Sequence, residues 1–232
     1  AIALTSPSTS LTYAELYQRV VALAEVLAER EIRRLGIGVG NGLDWILADL
    51  AGMMSGIGVV PVPTYFTPGQ VDYLLDSARA DYLLSETGSS PTTGLFGSSI
   101  KQISDQTVNK EPVKITFTSG STGAPKGVVL RHDKLFTIAR SIVQMMEQLD
   151  IGKHLCVLPL ATLLENIAGV YAPLMKGIEI CVPNGEEVGL SGSSGLDPTQ
   201  FAGCINQSRP ESMILVPQLL LATVTLTELG IM

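Results

Sequence analysis

The sequence is short of cysteine and of charge, and each shortage removes a class of explanation. Its 232 residues include three cysteines, Cys156, Cys181 and Cys204. They stand singly, no C-x-x-C pair occurs, and an odd number closes no disulfide framework. A reducing, cytoplasmic setting is the expectation. His154 and Cys156 could be read as two metal ligands, but alternate residues of an apolar strand share a face whatever their role, and no second ligand pair accompanies them. The spacing alone assigns no metal. Charged residues make up 16%, and 15 basic against 22 acidic ones give a formal charge of −7. The general electrostatic footprint for nucleic acid is therefore missing. No basic stretch followed by an apolar one opens the chain, so nothing there reads as a signal peptide. Its first residue is Ala rather than Met, and the natural start is expected upstream. The most apolar run, Trp45 to Pro63, is interrupted by Asp49 and by glycines and ends in Pro61 and Pro63. A buried helix followed by a strand fits it better than a membrane span, and no integral membrane segment is expected.

What is present is apolar material, 46% of residues, enough for a packed globular fold. Thr12 and Glu15 form a T-x-x-E capping box, after which Leu16, Val20, Leu23 and Leu27 recur at helical spacing. A second stripe, Leu43, Ile46, Leu50, Met53 and Ile57, precedes a strand at Val59 to Val62. Thr67 and Pro68 read as the N-cap and first residue of a helix over Gly69 to Ala78, followed by a strand at Asp81 to Leu84. Residues 86–112 turn polar and lose all period, which predicts a surface loop or linker between a first α/β lobe, 1–85, and a second, 113–232. In that second lobe a strand at Val113 to Phe117 leads through a Gly/Ser/Thr loop to a helix carrying Leu135, Ile138, Ile142 and Met145. Further strands are expected at Leu155 to Leu158, Ile178 to Val182 and Met213 to Val216. Helices are expected at Leu164 to Lys176, from Pro198 and from Pro217. The alternation predicts an α/β fold with mostly parallel sheets flanked by helices.

The segment Thr118 to Gly127, T-S-G-S-T-G-A-P-K-G, carries the chemistry. Glycines let successive backbone N–H groups converge on an anion, hydroxyls add donors, and one lysine supplies a mobile positive charge. The composition suits polyphosphate. It is not a Walker A loop, because Lys126 follows Pro125 and precedes Gly127 instead of following Gly and preceding Ser or Thr. No serine stands three residues before Lys126, so the S-x-x-K pattern fails as well. Gly120, Gly123 and Gly127 are spaced by three and four, which does not make the dinucleotide fingerprint.

The longer run Thr116 to Leu130, T-F-T-S-G-S-T-G-A-P-K-G-V-V-L, resembles the signature phosphate loop of the adenylate-forming superfamily, which contains acyl-CoA synthetases, luciferases and peptide-synthetase adenylation domains. Asn41-Gly42 with Trp45, the run Val59 to Pro63, and Tyr73 to Glu86 resemble that superfamily's early helix-strand pairs. Leu158-Pro159-Leu160 with Glu165 and Gly169, and then Arg209-Pro210 with Val216-Pro217, resemble later motifs. The resemblance implies the N-terminal part of the large domain of an acyl-CoA synthetase-like enzyme, without its C-terminal lid. It implies ATP and Mg²⁺ as cofactors, CoA as co-substrate and a small-molecule carboxylate, a fatty acid by the Leu-Pro-Leu motif, as substrate. By position it makes Thr118, Ser119, Gly120, Ser121, Thr122, Gly123 and Lys126 the nucleotide-binding residues, with Lys126 and Thr118 the catalytic candidates and Thr162 and Glu165 candidates for the substrate pocket. Thr162 stands where many members carry an aromatic ring or a histidine, and it can neither stack nor shuttle a proton as these do. Glu165 reads equally as a helix-face carboxylate. The motifs for adenine, ribose, the acidic metal ligand and the lid lysine are not in this sequence, so complete adenylation by it alone is not expected, and uncovered core surface is expected to favour self-association. The alternative expectation is a non-catalytic nucleotide-binding or interaction module that keeps the phosphate loop.

Overall fold

The computed structural model describes residues 1–86, 92–105, 108–118, 125–191 and 195–231. The first half of the chain forms β1 (Ile2–Thr5), β2 (Ser10–Thr12), α1 (Tyr13–Glu29), β3 (Arg34–Ile37), α2 (Leu43–Met54), β4 (Gly58–Pro61), α3 (Pro68–Ser77), β5 (Tyr82–Glu86), β6 (Ser98–Gln102) and β7 (Val113–Thr118). The second half forms β8 (Lys126–Arg131), α4 (His132–Met145), β9 (Lys153–Leu155), a π-helix (Glu165–Tyr171), α5 (Ala172–Lys176), β10 (Glu179–Cys181), α6 (Gly185–Val188), β11 (Leu190–Ser191), β12 (Gly195–Leu196), α7 (Pro198–Ser208), β13 (Ser212–Met213) and α8 (Pro217–Glu228). No described helix is long and apolar enough to cross a membrane.

Two compact units result, and they interleave along the chain. One comprises Ala1–Tyr13, Gly40–Gly42 and Ile138–Met232; the other comprises Ala14–Val39 and Leu43–Thr137. The expected cut at 86–112 is not where the chain divides, because β7 pairs with β4 through Val59 and Lys114 in one sheet. Nor is 86–112 one uninterrupted loop. β6 pairs antiparallel with β5, and the Asp44 carboxylate at the start of α2 accepts the amides of Phe96, Gly97 and Ser98 at 2.7, 2.9 and 2.9 Å. Polar composition concealed a strand whose order comes from pairing rather than from its own apolar pattern.

The second of these units is a six-stranded sheet in the order β6-β5-β3-β4-β7-β8. Its four inner strands are parallel, and β6 and β8 close it as antiparallel edges. The periodic residues Leu16, Val20, Leu23 and Leu27 of α1 are all buried, as the spacing predicts. Burial of each such side chain contributes about 1.5–3 kcal/mol, so the apolar stripe outweighs any single cap. The expected cap of α3 is formed in full: Thr67 accepts from the Gln70 amide and Gln70 accepts from the Thr67 amide. That helix drives Leu74 and Leu75 into a cluster with Val60, Val62, Val113 and Ile115, with Phe117 packed against it.

The first unit is a five-stranded sheet in the order β13-β9-β10-β1-β2, parallel except for β2. Leu155, Val157, Phe201, Ile205, Leu219 and Leu226 share its core. Asp197 caps α7 by accepting the amides of Thr199 and Gln200, where the sequence placed that helix start. The sequence predicts one helix over Leu164 to Lys176, whereas the structure has a π-helix to Tyr171 and then α5, which ends at Gly177.

Candidate functional site

The Gly/Ser/Thr loop joins two strands. Where the sequence predicts strand, loop and helix, β8 intervenes: β7 and β8 pair antiparallel from Val113↔Arg131 to Thr118↔Lys126. The helix begins only at His132, at the far end of β8, so its N-terminal dipole is not what faces an anion at the loop. Ser119, Gly120, Ser121, Thr122 and Gly123 lie outside the described residues. The two flanking candidates are described, and the register makes them direct cross-strand partners on one face of the ribbon. Such partners carry Cβ atoms roughly 4.5–5.5 Å apart. Thr118 and Lys126 are both exposed, and Lys126 makes no ion pair among the described residues.

On the opposite face Phe117 stands across from Gly127. A Cβ at Gly127 would lie 3.0 Å from Phe117 Cζ, so the glycine admits the ring. A cleft of about 530 Å³ runs along this face, bordered by Tyr73, Ile115, Phe117, Gly127 and Val129. Two of its charged residues, Arg34 and Glu111, stand 3.8 Å apart. Pro125 and Lys126 border it as well, and its lining mixes polar and apolar surface in near-equal measure.

Behind the mouth, β7 is anchored by a group that belongs to no sequence motif. Lys114 lies four residues before Thr118, and its Nζ reaches Asp49 Oδ1 of α2 at 2.6 Å, with the two side chains 0% and 1% exposed. The ammonium also stands 5.6 Å from the centre of the Trp45 ring. Burial pulls the Lys114 pKa down, and Asp49 acts against that pull. Buried His132, the first residue of α4, is held below its usual value by burial and then by the Lys114 charge. The sequence did hold a signal for this cluster: an aspartate within an apolar helix and a lysine between the apolar residues of a strand.

In the other unit the Leu-Pro-Leu segment is shaped by Asn41. Its Nδ2 donates to the Leu158 carbonyl and its Oδ1 accepts from the Leu160 amide, each at 2.8 Å. Thr162 then turns the chain, its amide and hydroxyl both donating to the Pro159 carbonyl at 2.9 and 2.8 Å. The hydroxyl is thus engaged locally. Glu165 is no surface carboxylate: it is fully buried at the start of the π-helix. Its Oε1 lies 3.9 Å from His154 Nε2, and the Cys156 thiol is close enough that burial first and the Glu165 charge second push it well above its usual pKa. The structure therefore joins Glu165 to His154 and Cys156, which the sequence noted only as a pair.

The chain is similar to known proteins along most of its length. The chain is 25% identical over 197 residues to tyrocidine synthase 3 of Brevibacillus parabrevis, covering 77% of this chain and 3% of that protein. It is 24% identical over 212 residues to a dimodular nonribosomal peptide synthase of Bacillus subtilis (strain 168), covering 81% and 9%. Among solved structures, o-succinylbenzoate CoA synthetase from Bacillus subtilis in complex with its acyl-adenylate intermediate superposes with a TM-score of 0.73 at 18% identity, over 97% of this chain and 47% of that one. The N-terminal subdomain of NpsA from Klebsiella oxytoca, in complex with 3-hydroxyanthranilyl-AMSN, gives a TM-score of 0.71 at 22% identity, over 92% and 55%. These likenesses establish the fold, and the chain spans about half the length of those structures and a small part of the peptide synthases. Residues 1–230 match the family described as AMP-binding enzyme, and the chain belongs to that adenylate-forming family.

Proposed function

We propose that this chain is the phosphate-handling N-terminal part of an ATP-dependent, AMP-forming ligase that activates a carboxylate as its acyl-adenylate and passes the acyl group to the thiol of CoA. The observation that carries the reading is the hairpin register that sets Thr118 opposite Lys126 at the mouth of the glycine-rich loop. A substrate carboxylate attacks the α-phosphorus of Mg-ATP, the bond to the bridging oxygen breaks, and pyrophosphate leaves. Lys126 then offsets the charge that accumulates on the departing phosphates, and Thr118 orients them by hydrogen bonding. Ser119, Gly120, Ser121, Thr122 and Gly123 complete the cradle with hydroxyl and amide donors. Mg²⁺ brought in with the nucleotide would supply further neutralisation of that charge.

The acid is a fatty acid in this reading, from the Leu158-Pro159-Leu160 segment. A second reading, an amino acid, is favoured by the relatives named as peptide synthases. Pyrophosphate release by the complete enzyme with each acid in turn separates the two.

The loop itself is tested by calorimetric titration of the chain with Mg-ATP, pyrophosphate and AMP, for wild type and Lys126→Ala. A charge-assisted hydrogen bond contributes about 1.5–3 kcal/mol, so ATP and pyrophosphate affinities should fall roughly 10- to 150-fold while AMP affinity barely changes. An equal loss for AMP would remove Lys126 from the β- and γ-phosphates.

A further inference from the structure

We propose that His154, Cys156 and Glu165 bind one divalent transition-metal ion, of which zinc is the best match, as a structural staple within the first unit. The imidazole nitrogen, the thiol sulfur and a carboxylate oxygen all lie within 4.8 Å of one another, and all three residues are buried. Tetrahedral bonds of 2.0–2.3 Å hold donor atoms about 3.3–3.7 Å apart. Closing the site thus asks the donor separations to shrink by up to about 1.5 Å.

Topology brings the three together. His154 and Cys156 alternate along β9 and the residue after it, so they share a face. Glu165 opens the π-helix laid over that face, and π-turns recur at functional sites. Gly169, one turn further on, makes room: a Cβ there would stand 2.8 Å from Glu165 Oε1 and 3.1 Å from His154 Nε2. The Gly169 carbonyl accepts from the Cys156 thiol, 3.6 Å away, at the same place.

The polar atoms call for a cation. His154 Nε2 and both Glu165 oxygens are buried and have no partner that meets hydrogen-bond geometry among the described residues, with the Cys156 thiol the one polar group set beside Glu165. A proton shared between Glu165 and His154 does not answer this, because 3.9 Å is beyond hydrogen-bond reach. A bound dication would displace the thiol proton, and with a carboxylate and a thiolate as ligands the buried group would be neutral. The outer shell is also in place. His154 and Ser212 are register partners of β9 and β13, and Ser212 Oγ sits 2.9 Å from His154 Nδ1. With Nδ1–H donating to that hydroxyl, Nε2 presents its lone pair to the site, the arrangement by which metal-bound histidines are oriented.

The test is to unfold the untagged chain in chelator, refold it with Co²⁺ or Zn²⁺, remove free metal and measure metal per chain. The proposal requires one ion per chain, with Co²⁺ giving a thiolate-to-cobalt charge-transfer band and the visible bands of a tetrahedral site. Ser212→Ala should weaken binding about 10- to 100-fold, and Cys156→Ser should abolish the charge-transfer band although Cys181 and Cys204 remain. Refolded wild type that shows no cobalt band overturns the proposal, whatever the variants do. So does a band that persists undiminished in Cys156→Ser.

Discussion

Replacing Lys114 by Met tests how the hairpin is held in place. The side chains have similar length, so the change removes the ammonium and leaves Asp49 buried without the cation that stands 2.6 Å away. Breaking a buried pair in this way costs about 3–5 kcal/mol, so the deficit is expected near 4 kcal/mol at pH 7. The one tryptophan, Trp45, is buried beside the pair, so its fluorescence in urea reports the unfolding of this unit. Lys114→Met with Asp49→Leu removes both charges and should recover most of the loss, since well-packed apolar replacements of buried pairs are often neutral. A single variant within about 1 kcal/mol of wild type at pH 7, against the loss expected for a broken buried pair, would refute the reasoning.

Two further predictions concern neighbouring features. His132 has a lowered pKa in the folded chain, so the unfolded chain takes up its proton first as pH falls through 6.5. Stability should therefore decline below that pH until the folded value is passed, and the difference between wild type and His132→Asn in urea midpoints should follow this course; parallel curves would count against it. Asn41→Ala leaves the Leu158 carbonyl and the Leu160 amide without their clamp, and an unsatisfied buried group costs about 1–3 kcal/mol. Thermal unfolding should show that loss, and hydrogen exchange at the Leu160 amide should accelerate.

Much of the architecture could be read from residue order. The buried stripe of α1, the cap of α3, the Asp197 start of α7 and the mostly parallel alternation are local or periodic properties. β8 escaped because Lys126 to Arg131 is too short for its period to separate a strand from the approach to a helix. β6 escaped because polar residues form a strand only when a neighbour supplies the pairing. The π-helix escaped because its hydrogen-bond register, with the Ala172 amide bonded to the Ile167 carbonyl, leaves no mark on composition.

By itself the sequence determined that the chain folds as α/β and that the family is adenylate-forming, and it singled out Thr118 to Gly127 as the candidate phosphate loop, since each of these is written in consecutive residues. Tertiary structure alone decided that the loop closes a hairpin with Thr118 across from Lys126, that Lys114 meets Asp49 beneath it, and that Glu165 joins His154 and Cys156. Those are contacts between residues far apart in the chain or across a turn. Strand pairing and helix packing set them, and no local pattern specifies which distant side chain will arrive.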